Sequence, residues 1–272
     1  MLARLSLLVV LFFIAMSVLP NATAGQIAGC SDVRLNGLRV PGSIPDSLPS
    51  PDAYDRLTVG EVPLGVGHLR PVDAGYTWDW HQRMRRPMFG APGSTPSLWL
   101  VDGWLMRQDG SVRPFGTGGM IETGYETPSF IVLESRVDGW LKIRYSANEG
   151  DAGAAWTHDC VLGLGAHLLV FESWEERLTS DDISPLFFTS EVPHALRASP
   201  SIDSEQLISI PGSAYDYELE PLAVDGDWMR VRVALPRTYC DPDAPTPRTE
   251  EGWVKWRDPE RGPWLWYFTR GC

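Results

Sequence analysis

The chain has 272 residues, among them 26 Gly, 23 Pro and 12 Trp, and a formal net charge of −12. This acidic charge argues against nucleic acid or an anionic membrane surface as the main partner. Long apolar stretches of helical period are nearly absent, so the abundance of Gly, Pro and Trp predicts an all-β protein of short strands and tight turns.

The first residues have the pattern of a signal peptide. Arg4 precedes an apolar run, Leu5 to Leu19, which Pro20 ends. A run of this length suits a signal peptide better than a membrane span. Small residues at Ala22 and Ala24 offer a cleavage site, so we predict a signal peptide over 1–24 and a periplasmic or secreted protein without a membrane span.

The number of cysteines is relevant to where the protein is located in the cell. The chain has four: Cys30, Cys160, Cys240 and Cys272. An even number can pair in an oxidising compartment. Cys240 and Cys272 bracket the last predicted hairpin and strand, so we predict that they are joined, which leaves Cys30 to pair with Cys160. The sequence alone does not fix this connectivity. Ile27-Ala28-Gly29-Cys30 also resembles the lipobox of bacterial lipoproteins, so a lipid anchor on Cys30 stays an alternative.

Residues 25–85 form a Pro- and Gly-rich segment without a sustained period. We predict an extended arm with one short helix at Asp52 to Leu57, which Ser50 and Pro51 would start. Trp78 and Trp80 are expected to lay the end of this arm onto the next domain.

The rest of the chain contains one pattern twice. Val137 to Arg144 and Val224 to Arg232 are close variants of one phrase, and the residues after Trp156 and after Trp253 align without gaps. Such internal similarity indicates a duplicated unit. We predict units at 86–172 and 189–272, the first with a Gly-rich insertion at 95–126. The connector, 173–188, starts with the capping-box pattern of a short helix that ends near Thr179.

The second unit resembles the bacterial SH3-like (SH3b) family. The similarity is carried by Leu196-Arg197-Ala198-Ser199-Pro200-Ser201, by Asp225-Gly226-Asp227-Trp228-Met229-Arg230-Val231 and by Gly252-Trp253-Val254. Residues 194–268 match the family pattern, and 88–171 match it more loosely, with Gly90-Ala91 where the arginine is expected. The resemblance implies two tandem five-stranded β-barrels that bind cell-wall material or proteins without catalysis.

No catalytic or metal-binding pattern stands out. His158, Asp159 and Cys160 are close in sequence, but strand residues two apart are about 6 to 7 Å from each other, so we expect a disulfide role for Cys160. The histidines lack the paired spacing of zinc sites, and the acidic hairpin around Asp241 and Asp243 lacks the turn glycine of a calcium loop. We therefore expect no metal, no cofactor and no enzyme. A periplasmic cell-wall hydrolase and a purely structural envelope component remain the alternatives.

The alternation of apolar and polar residues along the two central predicted strands indicates which face could bind a ligand. Leu141, Ile143 and Tyr145 should point inward, as should Met229, Val231 and Val233. The opposite face then carries the candidate ligand-binding residues: Trp140, Lys142, Arg144, Trp228, Arg230 and Arg232, with Trp253 and Lys255 from the neighbouring strand. The rings could cover the rim of the barrel with cations stacked on them, or they could pack on a sugar while the cations meet a carboxylate. Peptidoglycan or an envelope protein is the predicted partner.

Overall fold

The computed structural model describes residues 57–60, 62–72, 79–115, 119–145, 153–164, 168–183, 185–241 and 243–271. Strands account for 49% of it and helices for 7%, so the predicted all-β class is confirmed. The predicted signal peptide, residues 52–56 of the predicted helix, Cys30 and Cys272 lie outside the described residues.

The first half of the chain forms one antiparallel sheet. Its strands are β1 (Gly67–Pro71), β2 (Arg85–Phe89), β3 (Pro96–Val101), β4 (Trp104–Arg107), β5 (Val112–Pro114), β6 (Met120–Gly124), β7 (Thr127–Ser135), β8 (Trp140–Arg144), β9 (Ala154–His158) and β10 (Leu169–Ser173). The order across the sheet is β10-β1-β7-β8-β9-β2-β3-β4-β5, and β6 pairs with β7. Two 3-10 helices, Trp80–Arg83 and Asp159–Val161, connect parts of it.

The second half forms a smaller antiparallel sheet. The elements are α1 (Trp174–Leu178), β11 (Leu186–Phe188), β12 (His194–Arg197), β13 (Gln206–Ile210), β14 (Glu218–Asp225), β15 (Trp228–Leu235), β16 (Arg248–Lys255), β17 (Arg257–Asp258), β18 (Gly262–Pro263) and β19 (Leu265–Tyr267). The sheet order is β13-β12-β16-β15-β14-β11-β19, and β17 pairs with β18.

The predicted connecting helix is confirmed as α1. Ser173 Oγ accepts a hydrogen bond from the Glu176 backbone N–H at 3.1 Å, and the Glu176 carboxylate accepts one from the Ser173 N–H at 2.8 Å. This reciprocal capping box satisfies two N–H groups that a helix start otherwise leaves unpaired. It explains why so short a segment is helical.

The two sheets repeat one topology, which supports the predicted duplication. The strands β10-β1-β7-β8-β9-β2-β3 follow the same order as β19-β11-β14-β15-β16-β12-β13. Register shifts also occur at matching places, between Met88 and Phe89 on β2 and between Leu196 and Arg197 on β12. Neither path of described strands returns to its first strand, so both sheets are open and the predicted closed barrels are not confirmed.

The arm prediction needs a correction, because part of the segment 25–85 belongs to the first sheet. β1 lies between two strands, and its Leu69 pairs with Phe130 of β7 and with Phe171 of β10. Most of β1 is buried. A strand covered on both faces shows no polar alternation, which is why its sequence did not reveal it. Trp80, by contrast, is fully buried and its indole N–H donates to Pro128 O at 2.8 Å, as expected for an anchor of the arm.

The core of the second sheet extends into the first half of the chain, while the first sheet also has a core of its own that includes Leu69, Phe130 and Ile143. Leu64, Ile131 and Trp174 cluster with buried residues of the second sheet. Polar contacts join the same surfaces: the Tyr267 hydroxyl donates to Thr123 O at 2.8 Å, and the Leu64 N–H donates to Arg261 O at 2.7 Å. The two repeats are therefore packed against each other and are not separate domains joined only by a linker.

Candidate functional site

The predicted orientation of β15 is confirmed. Met229, Val231 and Val233 are fully buried, so Trp228, Arg230 and Arg232 lie on the opposite side of the strand. We call that side the outer face of the second sheet. β16 adds a row to it, because Lys255 pairs with Trp228, Trp253 with Arg230 and Glu251 with Arg232.

The two arginines of the outer face are already neutralised. Arg230 Nη2 lies 2.9 Å from Glu251 Oε2, and Arg232 Nη2 lies 3.0 Å from Glu251 Oε1. Arg232 also pairs with Glu220. The hydrogen bonds to Glu251 and Glu220 raise the pKa of Arg232 above its ordinary value. An anionic ligand would therefore compete with Glu251 for both guanidinium groups.

Lys255 is the better anchor for an anion. Its Nζ lies 5.0 Å from the centroid of the Trp264 ring, and Trp228 is its partner across the strand pair. No carboxylate of the described residues lies within 4.0 Å of it, although its charge contributes to lowering the pKa of Asp258. All three side chains are partly exposed. We call these residues, Trp228, Lys255 and Trp264, the Trp–Lys–Trp row.

The backbone beneath this row is held in place. Trp256 is buried and donates its indole N–H to Gly226 O at 3.0 Å. Arg257 Nε donates to Asp227 Oδ1 at 2.8 Å, so both contacts tie the β14–β15 turn to the end of β16. The Trp264 backbone N–H donates to Trp256 O at 2.7 Å, which places the second indole. The row is therefore built on rigid strand ends.

The first repeat does not present the matching patch, so that part of the prediction is wrong. Trp140 is 3% exposed and Arg144 is 8% exposed, while Lys142 alone is partly exposed. Phe89 and His158 pack edge-on against the Trp140 ring with centroid distances of 5.0 and 4.9 Å.

The cause is the 3-10 helix that follows β9. Its Val161 is fully buried in the cluster that holds Phe89 and Trp140, so the indole is covered. Arg144 points elsewhere and donates to Pro63 O at 3.3 Å. The second repeat has β17 at this place instead, and its Trp228 stays partly exposed.

One member of the row, Trp264, was missing from the residues predicted for this face. It belongs to a visible C-terminal cluster of aromatic residues, but its position beside Lys255 depends on the turn between β17 and β18. No local period of the sequence encodes that approach.

The His158, Asp159 and Cys160 cluster has ligand atoms within 4.8 Å of one another. His158 Nδ1 lies 2.6 Å from Asp159 Oδ1. However, Cys160 is disulfide-bonded, as is Cys240, so its sulfur is no thiolate for a metal or for nucleophilic attack. Since Cys30 and Cys272 lie outside the described residues, the pairing stays a prediction.

Two concave regions lie near the outer face. One, of about 300 Å³, borders Arg232 and Glu220, and there Glu218 already accepts hydrogen bonds from Thr238 and from the Tyr239 N–H. The other, of about 230 Å³, lies between the two sheets beside Trp174 and Trp256. Neither is lined by Trp228, Lys255 or Trp264, so the Trp–Lys–Trp row lies outside both of them.

Comparisons of the chain with protein-family models, with curated proteins and with solved structures find no match. Across the described part of the chain, no helix has the length and apolarity that a membrane crossing requires. The site must therefore be interpreted from its own geometry.

Proposed function

We propose that this protein is an exported, non-catalytic binding protein of the bacterial envelope, made of two SH3-like units. The outer face of its second sheet binds cell-wall peptidoglycan through the Trp–Lys–Trp row. One observation carries the proposal: on a chain of net charge −12, a partly exposed lysine that forms no ion pair within 4.0 Å among the described residues stacks on Trp264 and is paired across the strands with Trp228.

The chemistry of the row fits a carbohydrate that carries peptides. Indole faces pack on the apolar faces of sugar rings, and a lysine ammonium pairs with the carboxylates of short peptides. The contact with Trp264 contributes only about 0.5 to 1 kcal/mol at an exposed site, so it positions Lys255 without preventing it from meeting a ligand.

Binding is favoured over catalysis by the state of the reactive groups. Cys160 is held in a disulfide. Of the described histidines, His68, His81 and His158 are 0%, 2% and 2% exposed, and the partly exposed His194 is stacked on Phe188 with ring centroids 3.6 Å apart. Cell-wall hydrolysis would need a nucleophile or base that a polymer can reach.

The test is retention of the purified protein on isolated sacculi. Replacing Trp228 and Lys255 by Ala together should reduce retention at least 10-fold and leave the melting temperature almost unchanged, because both side chains are partly exposed. Tyr215→Ala with Arg248→Ala is the matched control, since it removes an exposed aromatic ring and an exposed cation elsewhere on the same unit. The control should bind like the wild type.

Arg230→Ala should weaken retention less than Lys255→Ala, because Glu251 already occupies its guanidinium. Full retention of the Trp228 and Lys255 variant would exclude the row as the site. Failure of the wild-type protein to bind sacculi would exclude the ligand, and release of muropeptides during incubation would support the hydrolase alternative instead.

A further inference from the structure

The edge of the second sheet differs from the matching edge of the first. β13 is the last strand of the second sheet, and among the described strands it pairs with β12 alone. Its counterpart in the first sheet, β3, has β2 on one side, just as β13 has β12. On its other side β3 pairs with β4 in an antiparallel ladder of four residue pairs, which runs from Leu98–Arg107 to Val101–Trp104. No strand of the described residues takes the place in the second repeat that β4 fills in the first.

β13 lacks the features that usually protect an edge strand from pairing. Natural edges carry charges or proline, or are covered. The residues of β13, Gln206 to Ile210, include no charged residue and no proline. The outermost strand of the first sheet, β5, carries both Arg113 and Pro114.

Exposed aliphatic side chains surround the same edge. Leu207 on β13 is 37% exposed, Ile202 in the turn before it is 66% exposed, and Val192 just before β12 is 58% exposed. Apolar groups gathered at an unpaired strand favour association over solvation.

We propose that β13 is a homodimer interface, where it pairs with β13 of a second copy of this chain in antiparallel orientation. An antiparallel edge strand is its own complement about a two-fold axis, so one surface serves both partners. The pairing continues the β12–β13 ladder into a single sheet that runs through both copies. The ladder of β3 with β4 shows that this topology accepts an antiparallel strand at that position.

The charges of the chain permit this pairing. With Ile208 at the centre, Leu207 lies opposite Ser209 of the other copy, and Glu205 lies opposite Pro211. The two Glu205 carboxylates are then six residues apart along the strands, or about 20 Å. That distance exceeds the Debye length of about 8 Å at physiological ionic strength, so the nearest like charges repel each other weakly. A single strand pair is a small interface, and the dimer should dissociate on dilution.

The test is sedimentation velocity of the full mature chain over about 1 to about 1,000 µM, a range that suits small interfaces. The wild type should shift from monomer to dimer. Leu207→Lys should remain monomeric, because it places a charge next to the centre of the interface in each copy. Leu222→Lys is the matched control, since Leu222 is also 37% exposed but lies on β14, inside the sheet, and it should dimerise like the wild type.

Hydrogen exchange locates the contact independently. Amides of Gln206 to Ile210 that face away from β12 should become protected at high protein concentration and not at low concentration. A wild type that is monomeric throughout, a Leu207→Lys variant that dimerises as well as the wild type, or new protection confined to another surface would each overturn the proposal. Circular dichroism of both variants confirms that each is folded.

Discussion

His68 is the buried titratable residue whose surroundings most clearly set its charge. Its Nε2 lies 2.9 Å from Glu172 Oε2, and its ring stacks on Trp174 with centroids 4.9 Å apart. Its Nδ1 has no hydrogen-bond partner among the described residues. Burial lowers the pKa of His68 below 6.5, the charges of Arg177 and Arg70 lower it further, and Glu172 opposes them. Protonation would leave an N–H buried without an acceptor, which is costly.

This predicts a stability that falls in mild acid. Because the pKa of His68 is lower in the folded than in the unfolded state, its contribution is complete above 6.5 and is lost as the pH falls from there through the folded-state pKa. Urea unfolding at about pH 7.5 and about pH 5 should show a smaller loss for His68→Gln than for the wild type. Burial also lowers the pKa of His194, which accounts for part of the remaining slope. An unchanged pH response in His68→Gln would contradict this assignment.

β15 is the element that decides which side of the second sheet is core and which is surface. One row of its side chains is fully buried, and the other carries the candidate site. In the first repeat the equivalent strand, β8, has both rows covered apart from Lys142, since the 3-10 helix after β9 packs over its start. The same local sequence thus gives a surface in one repeat and an interior in the other.

The orientation of β15 can be tested with one charge. Val231→Asp buries an unpaired carboxylate in the shared core and should destabilise the protein by at least about 3 kcal/mol. Ala223→Asp places the same charge on the exposed side of β14, opposite Arg230, and should change stability by about 0.5 kcal/mol or less. Thermal unfolding followed by circular dichroism distinguishes the two. Equal melting temperatures for both variants would show that β15 faces the other way.

At the scale of the molecule, the two sheets are packed against each other, and we expect them to unfold together. Their common core joins Leu64 and Trp174 to the second sheet, and Arg270 forms two hydrogen bonds to Glu122, at 2.8 and 3.0 Å. Gly262 lies at a close approach between them, because a Cβ there would lie 2.6 Å from Gly65 O. Its φ of +90° also favours glycine.

Replacing Gly262 by Ala should therefore separate the sheets. Gly226→Ala is the control, since Gly226 also has a positive φ, +58°, but nothing lies within 4 Å of the new Cβ, so it lacks the clash. We expect Gly262→Ala to cost at least about 2 kcal/mol more than Gly226→Ala. Calorimetry should show one transition for the wild type, at a lower temperature in Gly262→Ala. Equal losses in both variants, or two transitions in the wild type, would argue against the shared core.

The sequence alone determined several features of this protein: the all-β class, the duplicated unit, the capped helix α1 and the inward row of β15. All of these follow from local patterns, such as the alternation of apolar and polar residues along a strand, a capping box or a repeated segment. Such patterns involve residues that are close together in the chain, so they can be recognised from the sequence.

Only the tertiary structure decided which of the two matched faces is exposed. Trp140 and Trp228 occupy equivalent places in nearly identical phrases, yet Val161 covers the first, while Lys255 and Trp264 flank the second. β1 could likewise not be predicted from the sequence, because a strand that is buried on both faces shows no alternation of apolar and polar residues. The physical reason is that exposure depends on residues that are distant in the chain and arrive only when the sheets pack.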